Sequence, residues 1–105
     1  QVITGANQEN AAYPSGLCAE RTTLFAANAN NPQTAVEALA VACYTNGHFT
    51  VDPASPCGAC RQVMLETESR YGKPMKVLLY GERECYVFES AKDLLPVCFT
   101  SENLG

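Results

Sequence analysis

Apolar and polar positions alternate along the chain in blocks that predict two helices. Leu17 to Ala29 is rich in helix-forming residues, and its apolar side chains recur at i, i+7 and i+8, which predicts an amphipathic helix. Ser15 or Gly16 is the expected N-cap of this helix. A second helix is predicted from Cys57 to about Tyr71, where Gly72 would end it.

Continuous apolar runs between these helices predict strands. The segment from Ala35 to Tyr44 ends in a continuous apolar run. This run suits a strand covered on both faces, although a buried helix has the same pattern. Met75 to Tyr80 and Tyr86 to Phe88 are also predicted as strands, and Val2 to Thr4 as the tail of another. Ser90 to Leu95 is predicted as a short helix that Ser90 caps.

Length and charge limit the classes of function. A chain of 105 residues without repeats or linkers predicts one domain, residues 1–105. The net charge of −4 argues against a partner with a phosphate backbone, so no nucleic-acid polymer is expected. No apolar segment is long enough for a membrane span, and no signal-peptide pattern is present, so no membrane is expected. We therefore expect a reducing, cytoplasmic location for the six cysteines.

Two stretches carry the candidate chemistry. Cys18 is followed two residues later by Glu20, and Cys57 and Cys60 form a C-x-x-C pair. Three thiolates with an open fourth position are the ligand count of a catalytic zinc site, and a nearby carboxylate can handle protons. Both stretches lie at predicted helix N-termini, where the helix dipole favours a thiolate. Residues two apart do not share a helix flank, so Cys18 and Glu20 can serve one site only beyond the helix end.

The residues alone leave other interpretations of these cysteines open. A C-x-x-C pair at a helix start also suits a thioredoxin-like redox site. A structural zinc site is the other alternative, and it needs a fourth ligand. The chain offers four candidates for that ligand, none with paired spacing: Cys43, Cys85, Cys98 and His48.

Charged and carboxamide side chains next to the cysteines are further candidates. Asn7 and Glu9 lie on a loop without hydrophobic period, which is either a solvated turn or a surface that binds sugar hydroxyls. Arg21 and Arg61 each follow a cysteine motif directly. Zinc with three thiolates carries a formal charge of about −1, so cations here would stabilise it, unless both arginines are ordinary surface charges.

Three segments of the chain resemble one enzyme family. Asn7 to Thr22 is similar to the N-x-E-N…C-A-E-R-T signature of the small homotetrameric zinc-dependent cytidine deaminases. Ser55 to Gln62 resembles their second signature, and Leu94 to Phe99 resembles their C-terminal L-L-P-x-x-F segment. The three motifs occur in the family's order and span nearly the whole chain.

The resemblance implies a role for each candidate residue. It implies one Zn²⁺ per subunit on the three motif cysteines, Glu20 as the catalytic proton shuttle, and Arg21 hydrogen-bonded to the thiolates. It also implies that Asn7 and Glu9 bind the ribose, and that Phe99 reaches the base pocket of a neighbouring subunit. The implied partners are a small-molecule nucleoside and further copies of the chain in a homotetramer.

The resemblance also implies a fold and a reaction. The fold is α/β, a cytidine-deaminase-like mixed sheet with helices on both faces. Members of the family carry an N-terminal helix and a first strand before the segment that matches Gln1 to Thr4, and residues 1–105 include no match to these two elements. The reaction is deamination of cytidine or deoxycytidine to the uridine product and ammonia, in pyrimidine salvage. The alternatives are a deaminase of another aminated heterocycle, as for blasticidin S, or a structural zinc or interaction module that is a truncated, inactive relative.

Overall fold

Two helices and a three-stranded mixed sheet form the framework of the protein. The structure, a computed structural model, describes residues 1–105. The helices are α1 (Ala19–Asn30) and α2 (Gly58–Tyr71). The strands are β1 (Ala38–Ala42), β2 (Tyr44–Thr45), β3 (His48–Phe49), β4 (Lys76–Tyr80) and β5 (Cys85–Phe88). Short 3-10 helices lie at Tyr13–Ser15, Ala91–Leu94 and Ser101–Leu104.

The sheet has the order β1-β4-β5, with a parallel and an antiparallel pair. Leu39 of β1 is in register with Val77 of β4, and Val77 is in register with Phe88 of β5. The parallel β1-β4 pair needs a crossover, and α2 lies in the connection between the two strands. The apolar run after Ala35 is therefore a strand, which decides between the two predictions made for it. Strands β2 and β3 form a separate antiparallel hairpin.

The core lies on one face of the sheet. Val77 and Leu79 of β4 are buried, whereas Lys76 and Tyr80 of the same strand are exposed. Helices α1 and α2 pack on the buried face and contribute Leu24 and Met64 to one cluster with the strands. That cluster also contains Leu39, Met75, Ala91 and Leu94. The predicted mixed α/β class is confirmed, but within residues 1–105 both long helices cover the same face rather than opposite faces.

The start of α1 differs from the prediction. The helix begins at Ala19 with Cys18 as its N-cap, so neither Ser15 nor Gly16 caps it, and Cys18 is not in its first turn. The reason is a pair of backbone hydrogen bonds, each 2.8 Å, that join Leu17 to Gln8 as an isolated antiparallel bridge. This bridge holds Leu17 in extended backbone, so the helix cannot start before Cys18.

Other element predictions are confirmed with small shifts. Helix α2 begins one residue later than expected and ends at Gly72, which adopts the left-handed conformation with φ of 60°. The hydroxyl of Ser90 caps the short helix after β5, as predicted. Val2 to Thr4 forms no strand. Neither α1 nor α2 combines the length and the apolar character that a membrane-crossing helix requires.

Glu68 is a buried carboxylate that joins three parts of the fold. It lies on α2 and is only 8% exposed. One of its oxygens accepts hydrogen bonds from the backbone N–H groups of Met75 at 2.8 Å and Ala91 at 3.2 Å. Both oxygens also accept from the Ser90 hydroxyl at 2.9 Å. The carboxylate thus holds the start of β4 and the short helix after β5 against α2.

We expect Glu68→Ala to lower the free energy of unfolding by about 2–4 kcal/mol, because it leaves two buried N–H donors without a partner. Chemical denaturation of the zinc-free protein measures this loss. Glu66→Ala is the matched control, since Glu66 is exposed on the same helix and makes no hydrogen bond. It should change the free energy of unfolding by less than about 0.5 kcal/mol. Equal effects of the two substitutions would contradict the assigned role of Glu68.

Candidate metal centre

Three cysteines from separate parts of the chain converge at one point. The Sγ atoms of Cys18, Cys57 and Cys60 all lie within 4.8 Å of one another. All six cysteines are free thiols, so no disulfide competes with ligation. The predicted fourth-ligand candidates, Cys43, Cys85, Cys98 and His48, are not part of the cluster. The arrangement therefore has three protein ligands, which is the count of an open site and not of a closed structural one.

The spacing of the sulfurs fits zinc. Cys18 Sγ and Cys57 Sγ are 3.7 Å apart. Zn–S bonds of about 2.3 Å in tetrahedral geometry place two sulfurs about 3.8 Å apart. A disulfide would need about 2.05 Å, so these two sulfurs are not bonded to each other and are spaced as two ligands of one metal. The chemistry of three thiols at this spacing suits one Zn²⁺ per chain.

Both helices present their N-termini to the cluster. Cys18 is the N-cap of α1 and Cys57 is the N-cap of α2, while Cys60 lies in the first turn of α2. Unpaired N–H groups and the positive end of the helix dipole therefore face the sulfurs from two directions. Cys18 lies at the end of α1 and not on its flank, so a residue of the first turn, such as Glu20, need not share a flank with Cys18 to serve the same site.

The local environment separates the acidities of the two C-x-x-C thiols. The backbone N–H of Cys60 lowers the pKa of the Cys57 thiol, although no cap of normal hydrogen-bond geometry forms at this sulfur. Burial raises the pKa of the Cys60 thiol to about 12, against an opposing effect of the Arg21 guanidinium. The neighbouring thiols of Cys57 and Cys18 and the Glu20 carboxylate raise this pKa further. Without metal, Cys57 therefore ionises before Cys60, and ligation requires that Cys60 also loses its proton.

Arg21 provides the positive charge that this cluster needs. Its Nη2 donates to Cys18 Sγ at 3.7 Å, and interaction with the sulfurs of Cys18 and Cys60 raises the pKa of Arg21. Its Nε atom is buried and has no partner. The guanidinium thus lies against the thiols with donor capacity to spare, as the predicted compensation of three thiolates requires. Arg61 behaves differently, because it donates to the carbonyls of Pro56 and Leu94 and to no sulfur.

The loop that carries Asn7 and Glu9 is attached to the start of α1. The bridge between Gln8 and Leu17 places Asn7 and Glu9 beside Cys18. A cavity of about 240 Å³ is lined by Asn7, Glu9, Cys18 and five neighbours together with Arg21. Glu9 is exposed and its carboxylate makes no hydrogen bond. The residues predicted to bind a sugar therefore lie on the same side of the site as Cys18 and Arg21.

Asn7 also caps α1, which the sequence did not indicate. Its Oδ1 accepts a hydrogen bond of 2.8 Å from the backbone N–H of Ala19, the residue between Cys18 and Glu20. Cys18 occupies the N-cap position but makes no side-chain cap itself. The orphan donor at the start of the helix is satisfied from a position twelve residues earlier in the chain. No short-range pattern marks such a contact, because the two residues meet only through the Gln8–Leu17 bridge.

Glu20 lies at the second position of α1 and borders a larger cavity. This cavity of about 650 Å³ lies between α1 and the free edge of β1, and Gln1 to Gly5 also line it. Glu20 is half-buried, and its charge reaches the Cys60 thiol. The end of α1 thus lies between two cavities, one lined by Cys18 and one by Glu20. Phe99 lines neither cavity and is 56% exposed on the C-terminal segment.

We expect Asn7→Ala to lower the free energy of unfolding of the zinc-free protein by about 1 kcal/mol, because the cap on Ala19 is lost. Zinc affinity, measured by competition with a chelating dye, should fall as well, since the cap orders the segment that carries Cys18. Asn7→Asp keeps an acceptor oxygen at the same reach, so its unfolding free energy should stay within about 0.5 kcal/mol of the parent. Equal losses in both variants would show that the contact with Ala19 contributes nothing.

Comparison with known proteins places the chain in a family. The family model of the cytidine and deoxycytidylate deaminase zinc-binding region matches residues 1–72. A cytidine deaminase of Halalkalibacterium halodurans is 43% identical over an alignment of 105 positions, and this alignment covers 99% of this chain and 72% of that protein. A cytidine deaminase of Sporosarcina psychrophila is 39% identical over 104 residues, or 99% of this chain and 70% of that protein.

Solved structures agree with this result. The crystal structure of cytidine deaminase from Burkholderia pseudomallei superposes with a TM-score of 0.71 and 42% sequence identity, over 94% of this chain and 72% of that chain. The likeness therefore extends to the fold as well as to the cysteine motifs. The match of the family model covers all three cysteines of the cluster. The chain belongs to the family defined by the cytidine and deoxycytidylate deaminase zinc-binding region.

Proposed function

We propose that this chain catalyses the zinc-dependent hydrolytic deamination of cytidine or deoxycytidine, which yields uridine or deoxyuridine and ammonia. The observation that carries the proposal is the convergence of three thiols at 4.8 Å or less with an acidic residue in the adjoining first helical turn. An open zinc site next to a carboxylate is the arrangement that hydrolytic deaminases of nucleobases use. The similarity to named cytidine deaminases over 99% of the chain supports this choice of substrate.

The three cysteines and Arg21 form the metal-binding part of the proposed site. Cys18, Cys57 and Cys60 are the proposed ligands, and the guanidinium of Arg21 balances their charge from the side of Cys18. Zn²⁺ bound there supplies Lewis-acid activation of water by lowering its pKa towards about 7. Everything else in the reaction is done by side chains that bind, orient or carry protons.

Glu20 is the proposed catalytic residue. Its carboxylate accepts a proton from the attacking water and passes it to the ring nitrogen beside C4 of the base. The oxygen of that water bonds to C4, which then carries a hydroxyl and the amino group. Glu20 takes the proton of this C4 hydroxyl and delivers it to the amino group, whose bond to C4 breaks to release ammonia as the C4–O bond becomes the carbonyl of the product. One water is consumed for each ammonia released. The position of Glu20 at the end of α1, on the border of the larger cavity, supports this role.

The small cavity is the proposed sugar site. The Oδ1 of Asn7 is occupied by Ala19, so its Nδ2 donor is the group left for a ribose hydroxyl. The Glu9 carboxylate, which has no partner in the chain, is the proposed acceptor of hydroxyl protons. A donor and an acceptor side by side suit a sugar hydroxyl, which accepts one hydrogen bond and donates another. Both groups are attached to the helix that carries Cys18 and Glu20, so the sugar would be aligned with the reacting centre.

We also infer a homotetramer that works in cytoplasmic pyrimidine salvage. Phe99 is the proposed contact with the base in the site of a neighbouring subunit, since its ring is 56% exposed and lines neither of the two cavities described above. Two exposed aromatic side chains, Tyr80 on β4 at 43% and Tyr44 on the β2-β3 hairpin at 62% exposure, support contact with further copies. The six free thiols support a reducing compartment.

Glu20→Gln should keep the metal and lose the reaction. Glutamine preserves the size of the side chain but cannot carry the proton, so kcat should fall by at least about 10²–10⁴-fold. Metal analysis and the absorbance change from cytidine to uridine measure the two properties. Glu66→Gln is the matched control and should keep both, because Glu66 is exposed on the far part of α2. Parental activity in Glu20→Gln would remove Glu20 from its proposed role.

A substrate panel tests the choice of base. We expect kcat/KM for cytidine and deoxycytidine to exceed that for blasticidin S by about tenfold or more, because the proposed sugar-binding groups of Asn7 and Glu9, which line one cavity, suit sugar hydroxyls. Turnover of blasticidin S alone would support the other deaminase instead. Stoichiometric zinc without turnover of any member of the panel would support a structural module.

A further inference from the structure

The C-terminal segment after the short helix at Ala91–Leu94 holds an aromatic ring out of the core. Val97 is 93% exposed and Phe99 is 56% exposed, whereas Cys98 between them is half-buried. Apolar packing within the chain therefore does not fix the ring of Phe99. Its position has to be set through the backbone.

Two adjacent side chains of α2 hold this backbone. Arg61 Nη1 donates to the Leu94 carbonyl at 3.0 Å, and Gln62 Nε2 donates to the Phe99 carbonyl at 2.9 Å. Directly after Phe99, the side chains of Thr100 and Asn103 form a capping box that starts the last 3-10 helix. The Gln62 contact is thus the one hydrogen bond that joins the aromatic residue itself to the body of the protein.

The identity of the anchor matters, because α2 also carries the metal ligands. Cys57 is the N-cap of α2, Cys60 lies in its first turn, and Gln62 comes two residues later. A C-terminal segment that is attached at Gln62 keeps a fixed place on α2 and thus a constant distance from the metal centre of its own chain. A tail without this attachment could move independently of it, since the rest of the segment is largely exposed.

We propose that Gln62 is a positioning residue that fixes the place of Phe99 on α2, so that the ring is ordered before it meets the base in the site of a neighbouring subunit. The proposal rests on the proposed role of Phe99 in base binding. Gln62 touches neither metal nor substrate and acts only through the Phe99 carbonyl. An ordered ring loses less conformational freedom on binding, so Gln62 should influence KM more than kcat.

Gln62 can be tested without disturbing the metal loop. Arg61 is unsuitable, because it also holds the Pro56 carbonyl next to Cys57. Gln62→Leu removes the donor and keeps a helix-forming residue of similar size that is not branched at Cβ. Gln62→Lys keeps a donor that can reach the carbonyl. Gln33→Leu is the matched control, since Gln33 is exposed in a turn and makes no side-chain hydrogen bond.

The experiment combines kinetics on the zinc-loaded protein with amide hydrogen exchange over residues 97–104. We expect Gln62→Leu to raise KM for cytidine by about three- to tenfold, with kcat within about twofold of the parent and unchanged zinc content. Exchange in the segment should accelerate. Gln62→Lys should restore both properties in large part, and Gln33→Leu should match the parent.

A double-mutant cycle with Phe99→Ala separates positioning from a general effect on stability. If Gln62 acts through Phe99, then Gln62→Leu adds no further increase in KM once Phe99 is alanine. Increases that multiply, unchanged exchange in residues 97–104, or a loss of zinc in Gln62→Leu would each overturn the inference.

The outcomes also distinguish failure of the inference from failure of the proposed function. A parental KM in Phe99→Ala would end the proposed role of Phe99 and the positioning role with it, while deamination itself would stand. An increased KM in Phe99→Ala together with a parental KM in Gln62→Leu would overturn the positioning role alone. If the parent protein turned over no nucleoside, amide exchange would still decide whether Gln62 holds the segment of residues 97–104. Parental exchange in Gln62→Leu would overturn this attachment, and accelerated exchange that Gln62→Lys reverses would support it.

Discussion

The convergence of two helix N-termini on one point is the constraint on which the rest of this structure depends. Cys18 and Cys57 are the N-caps of α1 and α2, and their sulfurs lie 3.7 Å apart. That distance exists only because Leu24 and Met64 bury the two helices in one cluster on the sheet. Three thiols at this spacing are unfavourable neighbours once ionised, and a bound divalent cation relieves the repulsion.

A cysteine at the N-cap leaves the start of α1 without a side-chain cap of its own, and a residue from another part of the chain provides the cap. Cysteine is not a preferred cap, and Cys18 leaves the first N–H of α1 without a side-chain partner. Asn7 supplies the acceptor across twelve residues, and the Gln8–Leu17 bridge keeps it there. The same contacts bring Glu9 next to the thiols. One small set of hydrogen bonds therefore stabilises the helix and assembles the proposed sugar site.

Polar anchors organise the C-terminal half because the apolar core is small. Only 14 of 105 residues are buried, so hydrophobic burial is modest and directed contacts carry more of the organisation. Glu68 holds β4 and the segment after β5, and Gln62 holds the tail that carries Phe99. Both side chains lie on α2, the helix that begins at the metal centre. The core and Phe99, the proposed contact with the base, are thus both attached to α2.

By itself the sequence predicted the cluster of Cys18, Cys57 and Cys60, the mixed α/β class and the end of α2 at Gly72, because motif spacing, hydrophobic runs and glycine are local signals. The assignment of these cysteines as zinc ligands and of Glu20 as the catalytic residue stays a prediction. Only the tertiary structure decided the rest. It showed where α1 begins, that both long helices share one face of the sheet, that Asn7 caps α1, and that Arg61 binds carbonyls rather than thiols. The start of α1, its cap and the contact of Arg61 with Leu94 depend on residues 9 to 33 positions apart in the chain, and the shared face of the sheet depends on Leu24 and Met64, which lie still farther apart. No local pattern of side chains encodes such contacts.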